Sequence, residues 1–166
     1  MLTIGHSRHS IERFLELLRQ YEVEVLVDVR SQPASRFSPQ FTRKPLELAV
    51  IKGGLRYLFL GDLVGGRPQA RECYTAEGAL SYDLVEEQPF YQRGIARLVE
   101  GEASFRICLM CAEENPAHCH RHLLITRTLR HQGLDVRHVR GDGSLEPASA
   151  FDEAPADPAQ LSLFRL

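Results

Sequence analysis

Cys111, Glu113, Glu114, His118, Cys119, His120 and Arg121 fall within one eleven-residue stretch, the densest gathering of reactive side chains in the sequence. Thiols can act as nucleophiles, carboxylates as general bases, imidazoles as proton donors, and guanidinium groups as partners for anions. The apolar run from Ile107 to Ala112 contains neither Pro nor Gly and predicts a buried strand. Asn115-Pro116 ends that strand, and a helical pattern begins near Cys119. The cluster is therefore expected where the carboxyl end of a strand meets a helix N-terminus, the usual ligand edge of an open α/β sheet.

Strand and helix geometry narrow the roles. Cys108 and Cys111 are three positions apart, an offset that puts them on opposite faces of a strand, so they do not form a metal clip together. Arg121 shares a helical stripe with Leu124 and Thr128, which must pack on the sheet. It needs either a ligand phosphate or carboxylate, or an internal partner such as Asp28 or Glu113. His118 and His122 with Cys119 offer zinc a partial set, yet no second ligand pair stands at standard spacing; no metal or cofactor is expected and zinc is disfavoured. Cys111 at a helix N-terminus suits thiol chemistry, although a short Cys-x5-Arg phosphate loop is absent because Arg121 follows ten positions later.

Other segments supply further candidates at strand ends. His6 and Ser7 follow a first strand over Leu2 to Ile4, where His6 either lines a site or bonds a backbone carbonyl in a turn. Asp28 and Arg30 close the apolar run Val23 to Val29, and an ionised Asp28 there is either a catalytic carboxylate or the counter-ion of His6, Arg30 or Arg121. Residues 30–44 carry Arg30, Arg36, Arg43 and Lys44 without an acid, interleaved with Phe37 and Phe41. Such a loop can pair phosphates and stack bases, unless its rings pin it to the core and its cations are merely solvated. Asp62 and Arg67 lie in a glycine-rich turn after a strand over Leu55 to Leu60, and the glycines match no known phosphate-binding signature. Cys73 and Tyr74 fall in an exposed loop that could serve as a lid.

Thr3-Ile-Gly-His-Ser7, Val27-Asp-Val-Arg-Ser31, Leu60-Gly-Asp-Leu-Val-Gly-Gly-Arg-Pro68, and Leu109-Met-Cys-Ala-Glu113 followed by Cys119-His-Arg121 occur in that order. In these blocks, and so over residues 3 to about 140, the chain resembles domain of unknown function 488, an uncharacterised bacterial family. The resemblance implies an α/β fold with the motifs gathered at one edge, and it carries no defined chemistry.

Several elements must position these groups. Ser10 caps a helix whose Ile11, Phe14, Leu15 and Leu18 form one apolar face. Pro45 opens a helix that stops at Gly53-Gly54; Ser81 and Pro89 start two more, the second presenting Ile95, Leu98 and Val99; Val136 to Val139 makes the last strand. Strands alternating with helices predict an α/β domain: three layers, a mainly parallel sheet with helices on both faces, Rossmann-like.

The chain's 166 residues suit a single domain, expected over 1–140. Residues 141–158 are rich in Pro, Ala, Asp, Glu and Ser and predict a flexible acidic linker. Residues 159–166 contain Gln160, Leu161, Leu163 and Phe164, spaced like the peptides that dock into the bacterial sliding clamp. A net charge of −2 restricts phosphate binding to a local patch, and four cysteines without a secretory signal or apolar span suggest reduced thiols in a cytoplasmic protein with no membrane role.

Two readings of function follow. The first is a protein of DNA metabolism or repair: a hydrolase acting on DNA, a nucleobase or a nucleotide and recruited by the tail. Asp28 or Glu113 would be the base, His6 or His120 the proton donor, and Ser7, Arg30, Arg36, Arg67 and Arg121 would hold phosphate. The second is a cysteine-dependent enzyme, a sulfur-transfer or phosphatase-like protein using Cys111. A non-enzymatic adaptor binding DNA and the clamp is a further possibility.

Overall fold

A computed structural model describes residues 1–152. Five short strands run parallel: β1 (Leu2–Gly5), β2 (Val25–Asp28), β3 (Arg56–Phe59), β4 (Ile107–Cys111) and β5 (Arg137–Val139). A sixth, β6 (Leu145–Pro147), pairs antiparallel with β5 at the edge, giving the order β3-β2-β4-β1-β5-β6. The protein is a three-layer α/β fold of Rossmann-like arrangement.

Alternation along each strand builds two cores. Val25, Val27, Ile107, Leu109 and Cys111 face one side, where they pack with Ile95, Leu98, Leu124, Ile125 and Leu129. Leu26, Cys108 and Met110 face the other, against Phe14, Leu17, Leu18, Leu46 and Val50. Cys108 and Cys111 therefore do point to opposite faces, as a strand offset of three requires. Helices α1 (Ile11–Gln20) and α2 (Arg43–Lys52) cover the second face. Short α3 (Gly61–Val64) and α4 (Tyr82–Glu86), then α5 (Pro89–Glu102), and a π-helical segment (Arg121–Thr126) that continues as α6 (Arg127–His131), cover the first.

Local capping agrees with the sequence. The Ser10 and Ser81 hydroxyls accept from the backbone N–H groups of Arg13 and Leu84, and Pro89 occupies the first turn of α5. On α1 it is Leu17, not Leu15, that joins Phe14 and Leu18 in full burial.

Two expectations change. The composition of residues 141–158 predicts a linker, but β6 and a 3-10 turn (Ala148–Phe151) continue the fold through its first part. They are tied down by Val136 O, which accepts from Ala148 N, and by Phe151, whose ring packs edge-on against His122 and His138. The remainder of that segment, and the docking peptide at 159–166, lie outside the described residues. The proposed lid at Cys73 and Tyr74 is part of the scaffold: Cys73 is buried and the Tyr74 hydroxyl donates to Pro68 O at 2.8 Å.

One buried polar pair makes the fold acid-sensitive. His138 Nδ1 lies 2.7 Å from Thr3 Oγ1, and its Nε2 lies 3.0 Å from His122 Nδ1. Burial above all, then the Arg121 guanidinium and His122, pushes the His138 pKa from 6.5 down to about 3. The unfolded chain thus takes up this proton first on acidification, and stability present above pH 6.5 is lost as the pH falls toward about 3, by up to about 1.4 kcal/mol per unit. Thermal unfolding should accordingly shift to lower temperature between about pH 7 and about pH 5, and His138→Gln should flatten that slope. An equal slope in the variant would place the acid sensitivity elsewhere.

Candidate functional site

The carboxyl ends of β1, β2, β3 and β4 open on a cleft of about 670 Å³. β2 and β4 are neighbours, and their connections leave in opposite directions: through α2 toward β3, and through α6 toward β5. Such a switch point is where open α/β sheets bind ligands. Ser31 and Arg30 enter the cleft after β2, Cys111 at the end of β4 and Glu113 just beyond it, and Gly66 and Arg67 after α3.

Four reactive groups meet on the cleft floor. Cys111 Sγ and Cys119 Sγ lie 2.9 and 3.2 Å from Glu113 Oε2. His120 Nδ1 stands 3.6 Å from Cys111 Sγ and 3.9 Å from Cys119 Sγ. Its Nε2–H donates to Val29 O at 2.9 Å, which orients the ring and leaves Nδ1 turned toward the sulfurs. Behind the cluster, the backbone N–H of Arg121 points at Cys119 Sγ, 3.4 Å away. Cys111 and Cys119 are buried, His120 is half-buried, and Glu113 is exposed at the mouth.

These contacts divide the protons unequally. Cys111 is held well above the ordinary thiol range, first by its hydrogen bond with Cys119, then by burial and by the charges of Cys119 and Glu113. Burial would also raise Cys119, but its bond with Cys111, the Arg121 guanidinium and His120 together draw it well down. Burial opposes charge on His120 too, and Cys119 and Glu113 outweigh it and raise that pKa.

A second network borders the cleft. Arg30 grips Asp28 through two bonds, Nε to Oδ1 at 2.9 Å and Nη2 to Oδ2 at 2.7 Å. The backbone N–H of Arg30 and the Tyr57 hydroxyl also donate to this carboxylate. Arg30 Nη1 donates onward to His6 Nε2 at 3.2 Å, while His6 Nδ1–H donates to Ser7 O. His6 stacks on Phe41 with centroids 4.3 Å apart, and burial above all lowers its pKa to about 4, so the ring is neutral.

The predicted residues sort by these positions. His6, Arg30, Arg67, Cys111, Glu113 and His120 all line the cleft. Asp28 does not: it is 0 % exposed and its oxygens accept from Arg30 and Tyr57, the arrangement expected of a counter-ion. Arg121 is also 0 % exposed; it bonds the backbone carbonyls of Glu113 and Glu114 and the Thr3 hydroxyl. Its partner is internal, as one reading of the sequence had it, although the acceptors are carbonyls and neither Asp28 nor the Glu113 carboxylate. Ser7 sits above β1 with φ of 47°, outside the cleft lining, its N–H bonded to Ala112 O. Arg36 is exposed and outside the lining, and the two rings of its loop part company: Phe41 is buried against His6 and Phe37 is 85 % exposed.

Tyr82 and Cys119 also line the cleft, where sequence reasoning assigned neither, and it left Gly66 without a role. Cys119 was visible only in the local cluster and in a partial zinc set with His118 and His122, because its approach to Cys111 needs the intervening loop to fold back. The glycine turn has a steric purpose: a Cβ on Gly66 would lie 2.6 Å from the His120 ring, and one on Gly65 would lie 2.3 Å from Ser31 Oγ. The zinc set suggested by His118 and His122 is not assembled, since His122 turns away to pair with His138.

The chain belongs to the family described as domain of unknown function DUF488, whose model matches residues 10–128. No curated protein and no solved structure matches it. No helix among the described residues is long and apolar enough to cross a membrane.

Removing charge from Asp28 tests its assignment. Asp28→Asn should lower stability by about 3 kcal/mol, because Arg30 is left buried without its counter-ion. That corresponds to roughly 10 °C in unfolding midpoint for a domain of this size. A variant that unfolds like the parent while losing function would return Asp28 to the list of bases.

Proposed function

We propose that the protein is an enzyme of DNA metabolism that acts on a nucleotide or nucleobase, with its reactive centre at Cys111, Glu113, Cys119 and His120. The observation that carries this reading is the convergence of those four side chains on the floor of a cleft large enough for a nucleotide. Glu113 is the proton-transfer group: it is exposed at the mouth, whereas Asp28 is sealed beneath Arg30. Arg30 and Arg67 on the cleft wall are suited to phosphate or to developing negative charge.

The rim supports a nucleic-acid substrate. Ala34 and Ser35 line the cleft, and the same loop continues to Arg36 and to the exposed ring of Phe37. A solvent-facing aromatic beside a guanidinium can stack a base and pair its phosphate. Recruitment by Gln160, Leu161, Leu163 and Phe164 to the sliding clamp fits this role. The alternative, direct attack by a thiol, uses the same cleft and draws on the contact of both sulfurs with the Glu113 carboxylate.

Fluorescence anisotropy with a single-stranded oligonucleotide checks the rim. Phe37→Ala should weaken binding about 5- to 100-fold, the range expected for loss of one stacked base. Binding that is absent at low salt, or indifferent to Phe37 and Arg67, would remove nucleic acid as the substrate.

Turnover is read separately, by mass spectrometry of oligonucleotides and deoxynucleotides incubated with the protein. Glu113→Gln should abolish product by about 100-fold or more while leaving affinity intact. Unimpaired turnover in that variant would overturn the role of Glu113, and binding without turnover in the parent would favour an adaptor. A chain ending at Pro158 should lose retention on immobilised sliding clamp, and equal retention would exclude the tail as the hook.

A further inference from the structure

We propose that Cys111, Cys119 and His120 hold a zinc ion, with its fourth position open to the cleft and Glu113 placed to take a proton from the water bound there. This deepens the reading of the cleft as the reactive centre and rests on it only for the role of the water.

Distances favour the assignment. A tetrahedral zinc with bonds of about 2.3 Å to sulfur and about 2.05 Å to nitrogen has S···N edges of about 3.6 Å. The two edges here are 3.6 and 3.9 Å. One ligand atom from each of the three residues lies within 4.8 Å of the others, so a single ion can reach all three with small side-chain movements. Two soft sulfurs and an imidazole nitrogen are a donor set that selects zinc over magnesium or calcium.

The surroundings are also those of a ligand site. Metal-bound histidines nearly always donate their other ring N–H to a fixed acceptor, and His120 Nε2–H is held by Val29 O at 2.9 Å. That bond puts the lone pair on Nδ1, the atom facing both sulfurs. The backbone N–H of Arg121 points at Cys119 Sγ, a contact that steadies a coordinated thiolate. Gly66 lets the chain pass against the His120 ring where any side chain would displace it. These features were built by four separate segments, at residues 29, 66, 111 and 119–121.

Three protein ligands and an open fourth position mark a catalytic site in preference to a structural one. The carboxylate beside the open position is Glu113, whose Oε2 lies 2.9 and 3.2 Å from the two sulfurs. Water on the ion gives one proton to the Glu113 carboxylate and remains as hydroxide on zinc, with no change of oxidation state. The same division, with two thiolates and an imidazole as ligands and a glutamate that is not one, serves hydrolytic removal of amino groups from nucleobases.

Elemental analysis by mass spectrometry tests the site on the full chain purified without chelator. About one zinc per chain is expected, falling to about a tenth or less in Cys111→Ser and in Cys119→Ser, with Cys73→Ser and Cys108→Ser unchanged. Cobalt in place of zinc should show thiolate-to-metal charge transfer and tetrahedral visible bands, both lost in the same two variants. Circular dichroism identifies a variant that has failed to fold; in that case Glu113→Gln, expected to keep its metal, and the cobalt spectrum of the parent decide. Less than a tenth of an equivalent after dialysis against zinc, iron in its place, or equal metal in the Cys111 and Cys119 variants would overturn the proposal. A metal-free protein whose nucleic-acid turnover still depends on Glu113 would leave the proposed function standing on thiol chemistry. A zinc protein that neither binds nor alters nucleic acid would do the reverse.

Discussion

A buried guanidinium governs the geometry of this protein. Among the described residues Arg121 is the largest fully buried side chain, and a charge withdrawn from water must be met by polar groups. It meets the carbonyls of Glu113 and Glu114 and the hydroxyl of Thr3. Since Arg121 begins the helix and residues 113 and 114 leave the strand, the bonds tie the two ends of the intervening loop together. That closure is what returns Cys119 to Cys111. Gly5 is the complement on β1: a Cβ there would lie 1.8 Å from Glu113 O, so only glycine lets the carbonyl reach its partner. The wide turn that follows, with Thr126 Oγ1 donating to Arg121 O at 2.6 Å, is π-helical, a geometry often found where a helix serves a site.

Two carboxylates at neighbouring strand ends show how position separates structure from chemistry. Asp28 is the last residue of β2, accepts from Arg30 and Tyr57, and is fully buried outside the cleft lining. Glu113 lies two residues beyond β4, so its backbone is held by Arg121 while its side chain is free to lean over the sulfurs. Asp28 still matters to the cleft, because it aims Arg30, and Arg30 in turn donates to His6. The network is a chain of orientation running from Tyr57 to Ser7.

Sequence periodicity identified the layers because the signals were local. The apolar runs that contain Val25–Asp28 and Ile107–Cys111, capping by Ser10 and Ser81, and the face formed by Ile95 and Leu98 are read within a few residues of one another. β6 was missed for the converse reason. Leu145–Pro147 is short, contains a charge and a proline, and is tolerated because it pairs on one side only, at the edge. Its register with β5 comes from the turn at Gly143, not from its own pattern. Composition alone therefore placed the end of the domain too early.

The site was legible as a list of residues and illegible as a geometry. His6, Arg30, Arg67, Cys111, Glu113 and His120 announced themselves by chemical type at strand ends. What could not be read was which donors would share a centre. Metal spacing in a sequence is informative when both ligands of a pair sit on one turn, as in a Cys-x-x-Cys. Here the paired sulfurs are eight positions apart, and their approach is set by Arg121 and Gly5, residues that bind nothing themselves in the cleft. A helical pairing of His118 with His122 was the natural local alternative, and it fails because His122 is needed beneath the helix by His138. The nearness of Cys119 to Cys111 thus follows from the packing of a cation in the core, a long-range contact that no local spacing announces.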